Sequence, residues 1–165
     1  MGAAGSSSPG RAAPPPAPAR VALVASRYNE NVTRRLLEGA ERCLREQGVA
    51  PELVDLRWVA GAWELPVMAR GLLERGCYRA LVALGAVIRG ETAHFEIIAA
   101  ESARGLMSLS VQYGVPVGFG VLTCETLEQA LERAGGAAGN KGHEATAAAL
   151  EAAAALSKTR DGDPA

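Results

Sequence analysis

Long hydrophobic runs are missing from this chain. No apolar stretch among its 165 residues reaches the roughly 18 that a membrane span needs. An excess of one charge sign is missing too. Seventeen Lys and Arg stand against 18 Asp and Glu, a formal net charge of −1, so nothing points to nucleic acid or an anionic membrane. Cysteine is scarce: Cys43, Cys77 and Cys124 are widely spaced, odd in number and form no Cys-x-x-Cys pair. That argues against a disulfide framework and a zinc site, and suits small buried thiols in a reducing cytoplasm. The two histidines, His94 and His143, lie too far apart in sequence to read as a metal-ligand pair. Neither Gly-x-x-x-x-Gly-Lys-Ser/Thr nor Gly-x-Gly-x-x-Gly marks the site discussed below, which removes two familiar nucleotide loops. What remains is an ordinary apolar content of 48% and a length that suits one domain plus a tail.

Residues 1 to 19 are mostly Gly, Ala, Ser and Pro. Such a composition buries no core and is expected to form a disordered or polyproline-like arm. The arm has no apolar segment of the secretory kind, and Arg11 and Arg20 alone make a weak transit signal. The domain is expected over 20–157, and the tail over 158–165 should fray. Val21 to Ala25 is a short apolar run fit for a strand buried on both faces. Apolar residues then recur at helical spacing from Glu30 to Gln47, with Gly48 placed to end the helix. Leu53 to Val59 reads as a second strand; Gly61 to Pro66 is a turn into a second helix that runs to about Arg75 and is ended by Gly76, with Pro66 tolerable in its first turn. Ala80 to Ile88 is the third strand, followed by a helix whose face carries Phe95, Ile98, Ala99, Ser102, Leu106 and Leu109. Val115 to Leu122 is the fourth strand, with Pro116 near its start. A helix over Glu125 to Ala134, a glycine-rich loop over Gly135 to Gly142 and an alanine-rich helix over His143 to Ser157 complete the domain. Strands alternating with helices in this way predict a four-stranded parallel sheet covered on both faces, a three-layer α-β-α sandwich.

In such sheets ligands bind beyond the carboxyl ends of the strands. Four turns fall there: Arg27-Tyr28-Asn29, Gly61-Ala62-Trp63-Glu64, Ala86 to Thr92, and the region after Phe119. The third is the most telling. A strand runs into a polar turn containing Gly90, and a helix opens with Thr92 and His94 in its first turn. Free N–H groups and the helix dipole make that an anion seat, most often for phosphate. His94 beside it has the one side-chain type that titrates near neutrality unperturbed, so the pair suggests proton transfer on a phosphorylated small molecule. The plainer alternative has Thr92 as an N-cap and His94 as a partly buried polar residue. Tyr28, Trp63 and Phe119 at these turns suit stacking on a flat ring, or else packing between neighbouring elements.

The chain from Val21 to Ser157 resembles the lumazine synthase family. The resemblance rests on five motifs in order: Ser26-Arg27-Tyr28-Asn29, Gly61-Ala62-Trp63-Glu64-Leu65-Pro66, Leu84 to Phe95, Gly114 to Val117 with Phe119-Gly120, and Glu132 to Gly135 with Gly139-Asn140-Lys141-Gly142. It implies a flavodoxin-like fold and a condensation without a cofactor. A ribityl-substituted diaminouracil attacks the carbonyl of 3,4-dihydroxy-2-butanone 4-phosphate, phosphate leaves, and the ring closes to 6,7-dimethyl-8-ribityllumazine. It further implies that Tyr28 and Trp63 lie against the pyrimidine-like ring, with Tyr28 a departure from the Phe or Trp of the family pattern. Ala62 and Glu64 fall on the ribityl-binding turn, and Ala86, Val87 and Ile88 on the backbone stretch that meets the uracil edge. Glu91 and Thr92 fall where phosphate is seated, Glu91 through its backbone N–H. His94 corresponds to the proton-transfer residue. Phe119 and Arg133 match residues that reach the site from a neighbouring subunit. Arg89 is expected to pair structurally, and Asn140 to be a turn residue tolerant of left-handed geometry. Lys141 reads as a second phosphate-side cation or as a solvated loop charge, and His143 as a polar residue at a helix start.

The family implies a homopentamer, in some members packed twelvefold into a 60-subunit icosahedral shell. The short glycine-rich loop favours a shell; the proline-rich arm, which cannot donate to a neighbour's sheet, favours a bare pentamer, the state expected here. Two small-molecule substrates, no metal and a cytoplasmic location complete the expectation. A family member serving as a container, or an unrelated flavodoxin-like flavin or phosphate binder, are the rival readings.

Overall fold

Val21, Ala22, Leu23, Val24 and Ala25 are all fully buried, and their alternation divides the interior in two. The computed structural model describes residues 19–161; residues 1–18, most of the expected arm, and 162–165 lie outside the described residues. Strand β1 (Arg20–Ser26) is followed by α1 (Glu30–Glu46), β2 (Val54–Val59), α2 (Leu65–Leu73), β3 (Tyr78–Ile88), α3 (His94–Tyr113) and β4 (Val117–Cys124). Helix α4 (Leu127–Arg133), a short ribbon of β5 (Ala134–Gly136) and β6 (Gly139–Asn140), and α5 (Lys141–Asp161) close the chain.

The four long strands pair in parallel in the order β2-β1-β3-β4, the flavodoxin-like order short of its fifth strand. Val21, Leu23 and Ala25 point to one side with Val82, Leu84 and Ala86 of β3, where Val32, Leu36 and Ala40 of α1, Ala130 of α4 and Ala149 of α5 cover them. Ala22 and Val24 point to the other with Leu81 and Ala83, under Leu65, Ala69 and Leu72 of α2 and Leu106 and Leu109 of α3. The three-layer sandwich follows from that two-sided burial, since a strand apolar on both faces needs helices on both.

Several boundaries differ from expectation, each for a local reason. Pro51–Leu53 forms a 3-10 turn, so β2 begins at Val54. Pro116 precedes β4, lending only its carbonyl, which accepts from Leu81 N at 2.9 Å. The glycine-rich segment is not an irregular loop: Ala134 pairs with Asn140 and Gly136 with Gly139 in an antiparallel ribbon. Asn140 is not left-handed, Asn29 being the one non-glycine with positive φ among the described residues. Its buried side chain works as a clasp. Oδ1 accepts from Gly142 N (2.9 Å) and His143 N (3.1 Å), and Nδ2 donates to Arg35 O on α1 (2.8 Å). With its first amides thus capped, α5 starts at Lys141 rather than His143. Instead of fraying after Ser157 it continues through Asp161, with Arg160 Nη2 donating to Gly114 O at the end of α3 (2.8 Å). His143 Nε2 lies 2.7 Å from Glu46 Oε2, a further tie between α5 and α1. At the amino ends of β1, β2 and β3, Asp55 Oδ2 accepts from Arg20 Nε (2.8 Å) and the Tyr78 hydroxyl (2.7 Å), while Arg75 Nη1 donates to that hydroxyl (2.9 Å).

Candidate active site

The β1–β2 pairing extends one step past the sheet. Arg27 N donates to Val59 O and Tyr28 N to Ala60 O, both at 2.9 Å, which brings Tyr28 beside the turn after β2. Asn29 then turns the chain into α1 in the left-handed region, φ 59°, a conformation its short polar side chain tolerates. Its Nδ2 donates to Ala86 O (2.9 Å) and so ties the turn after β1 to the end of β3. The β1 ladder with β3 stops at Leu84, whereas the β4 ladder runs on to Ile88 and Cys124. The 86–88 backbone edge facing β1 therefore leaves the sheet there, with Asn29 holding its first carbonyl.

Next to it, a 3-10 turn over Ala62–Glu64 closes on itself through Gly61 N donating to Glu64 Oε2 (2.8 Å). Ala62 is buried and Trp63 is 54% exposed. Beyond β3, residues 89–93 form neither helix nor strand, and α3 starts at His94 with Ala93 in the cap position and no side-chain cap. Thr92 is therefore not the N-cap. Among the described residues its hydroxyl accepts a long bond from His94 N, 3.4 Å, which leaves its own proton to be given to a ligand.

These turns enclose a cavity of about 410 Å³ lined by Tyr28, Trp63, Ile88, Thr92, His94 and Phe95, with Gly61, Ala62, Ala86, Val87, Gly90 and Ile98. Of the expected site residues, Tyr28, Ala62, Trp63, Ala86, Val87, Ile88, Thr92 and His94 are thus brought together. Glu64 and Glu91 do not line it: the Glu64 carboxylate is turned to the Gly61 N–H, and Glu91 is exposed on the rim turn. Phe119, Arg133 and Lys141 line a second cavity of about 570 Å³ that shares no residue with the first. There Arg133 spends one N–H on Gln129 O (2.9 Å) and has no carboxylate pair among the contacts of the described residues. Lys141 is the first residue of α5, not a loop charge, and pairs with Glu144 (2.6 Å). Burial pushes the Cys124 thiol of this cavity up, against a smaller opposing pull from Arg133.

Arg89 pairs as expected, on two sides. It meets Glu96 and Glu125, the latter at 2.6 Å, and its guanidinium lies 4.3 Å from the centre of the Phe95 ring. The hydrogen bond from Arg89 holds the Glu96 carboxyl below its usual range. Sequence reasoning missed Asn29 as the tie to Ala86, and placed Phe95 and Ile98 on one face of the third helix without marking them as walls of the cavity. An Asn closing a strand and preceding a helix was the available signal for the first; helical periodicity gave none for the others, because the cavity lies on the same face as the core.

Chemically, the first cavity offers aromatic faces, an open backbone edge, and a run of exposed amides with a hydroxyl and an imidazole beside them. Among the described residues no group of three His, Cys, Asp or Glu side chains can hold a metal, and no helix is long and apolar enough to cross a membrane.

The sequence model of the 6,7-dimethyl-8-ribityllumazine synthase family matches residues 18–157. The chain is similar to the 6,7-dimethyl-8-ribityllumazine synthase of Gemmatimonas aurantiaca, 57% identical over 132 residues that cover 80% of each. It is also similar to the enzyme of the same name from Chlorobium phaeovibrioides, 49% identical over 133 residues, 81% of this chain and 86% of the relative.

Proposed function

The chain belongs to the 6,7-dimethyl-8-ribityllumazine synthase family, and from that premise we propose how its residues carry out the penultimate step of riboflavin biosynthesis. As a transferase it condenses 5-amino-6-(D-ribitylamino)uracil with 3,4-dihydroxy-2-butanone 4-phosphate, giving 6,7-dimethyl-8-ribityllumazine, phosphate and water. The observation that carries the reading is the first cavity, where the aromatic rings of Tyr28, Trp63 and Phe95, the strand end 86–88 and an exposed turn carrying Thr92 and His94 converge.

The pyrimidine stacks on Tyr28 and Trp63, its polar edge on the backbone of Ala86, Val87 and Ile88, and its ribityl chain beside Ala62 and Glu64. The phosphate of the second substrate sits on the amides of the 90–93 turn, Glu91 included, with the Thr92 hydroxyl donating. Amine attack on the carbonyl loses water to an imine; phosphate is then eliminated and the ring closes with loss of further water. Each stage moves protons near neutral pH. His94 moves them, work for which a placed imidazole contributes typically 10²–10⁴-fold. Holding two substrates in register supplies much of the remainder.

Phe119 and Arg133 act in the site of the neighbouring subunit, Arg133 as a forked grip on the phosphate and Lys141 as an accessory cation. The support is that these three share a separate cavity within one chain. An oligomer is further favoured by Val67 (69%), Met107 (66%) and Val111 (76%), large apolar side chains left exposed on α2 and α3. We take it as a homopentamer in the cytoplasm, open to packing into a 60-subunit shell, with a single catalytic domain over 20–157.

The test mixes the two substrates with the protein and follows lumazine fluorescence alongside solution mass. Product is expected, and His94→Ala should lower turnover by roughly 10²-fold or more while a ring analogue still binds. A tightly held flavin with no lumazine formed would overturn the reading.

A further inference from the structure

We propose that Arg89 is a positioning residue, a strap across the phosphate turn that fixes it for the butanone phosphate. The inference rests on the assignment of that turn as the phosphate seat.

Residues 89–93 lie outside regular structure, and 90–93 are all exposed. Such a segment needs anchors from elsewhere to present its amides in one arrangement. Arg89 supplies them on both sides. Its N–H donates to Cys124 O at the end of β4 (2.9 Å), and its Nε meets Glu125 Oε2 just beyond (2.6 Å). Its Nη1 then reaches over the turn to Glu96 in the first turn of α3, closing a loop of side chain over 90–95. Beneath the guanidinium lies the Phe95 ring at 4.3 Å, and that ring is part of the cavity wall. One planar cation therefore fixes where the turn begins, where it ends and how the adjacent wall is oriented. Exposed ion pairs do little for stability, and neither of the two that Arg89 makes belongs to the buried core. Their effect is on geometry, where a displacement of about 1 Å can cost 10²-fold.

The charges make the idea testable. Glu96 and Glu125 are anions beside an anion seat. If their charge were what mattered, neutralising either would strengthen phosphate binding. A strap predicts the reverse, because each carboxylate is a post that holds Arg89 in place.

The experiment measures steady-state kinetics with both substrates, and inhibition by inorganic phosphate, on the full chain and on Glu96→Gln, Arg89→Ala, Arg89→Lys and Thr92→Ala. Solution mass and thermal midpoint are read alongside. Glu96→Gln and Arg89→Ala should raise KM for the butanone phosphate about tenfold or more and weaken phosphate inhibition in parallel. KM for the diaminouracil should stay within about twofold, and Arg89→Lys, which can hold one post but cannot fork, should fall between. A Glu96→Gln enzyme with unchanged or lower KM for the butanone phosphate overturns the strap. If Thr92→Ala also leaves that KM unchanged, the phosphate seat itself is misplaced; if Thr92→Ala raises it, the strap alone falls.

Discussion

At Asp55 one carboxylate oxygen collects two donors, Arg20 Nε and the Tyr78 hydroxyl. The Arg20 hydrogen bond first, then that of Tyr78, hold the Asp55 carboxyl far below its ordinary 3.8. The native chain therefore binds fewer protons than the unfolded one across the acid range. The stability involved is complete above the unfolded value and drains away as pH falls through 3.8 toward the native value. Tyr78 has the opposite sign: burial, then Asp55, push its hydroxyl up to about 12 from 10.0, so its share is lost as pH rises from 10.0 toward 12. Asp55→Asn should cost about 2 kcal/mol at neutral pH, the scale of a hydrogen bond to a charged partner. It should also flatten the fall in stability below pH 4. Urea midpoints at pH 7, 4 and 3 check both; an equal acid slope in variant and wild type would show that other carboxylates set it. Neither partner of Asp55 is adjacent in sequence, Arg20 lying 35 and Tyr78 23 residues away, so periodicity alone did not reveal this knot.

Between elements, the tightest approach joins α5 to α1. A Cβ on Gly142 would lie 2.0 Å from Leu36 O, and a backbone carbonyl inside a helix has little room to yield. Gly142→Ala should therefore cost about 3 kcal/mol or more, toward the upper end for overpacking. Gly71 is the contrast: it lies on the exposed side of α2 with nothing within 4 Å of an added Cβ, so Gly71→Ala should stabilise by about 0.5–1 kcal/mol through helix propensity. Thermal midpoints moving in opposite directions check the pair. The same contrast marks what the sequence makes legible. The two-sided burial of β1 and the helical spacing of Val32, Leu36 and Ala40 are local patterns, and the sandwich follows from them. The β5–β6 ribbon, the start of α5 at Lys141 and its run to Asp161 were not legible, because Asn140 and Arg160 act on Arg35 and Gly114, far away in the chain. At the site, motif residues such as Trp63, Thr92 and His94 could be named from sequence. That Asn29 holds Ala86, and that Phe95 faces the cavity, depends on where three strand ends meet in space.

For the whole molecule, the division of site residues between two cavities sets a test of assembly. His94 and Thr92 line one, Phe119 and Arg133 the other, with no lining residue in common. In a cyclic oligomer with head-to-tail contacts each protomer gives its first cavity to one neighbour and its second to the other. Arg133→Ala should then weaken the butanone phosphate far more than the diaminouracil, as removal of a forked phosphate grip would. Suppose His94→Ala and Arg133→Ala chains are unfolded together and reassembled in equal amounts. A site formed by the first cavity of an Arg133→Ala chain and the second cavity of a His94→Ala chain has both residues intact. Random neighbours produce that pairing at about one site in four in a closed ring, so the mixture should recover about a quarter of wild-type turnover while each variant alone stays low. A pocket complete within one chain gives no recovery at any ratio, since every chain then carries its own defect. Recovered turnover that tracks the fraction of mixed oligomers, read by mass after labelling one variant, would fix His94 and Arg133 on opposite sides of a subunit boundary.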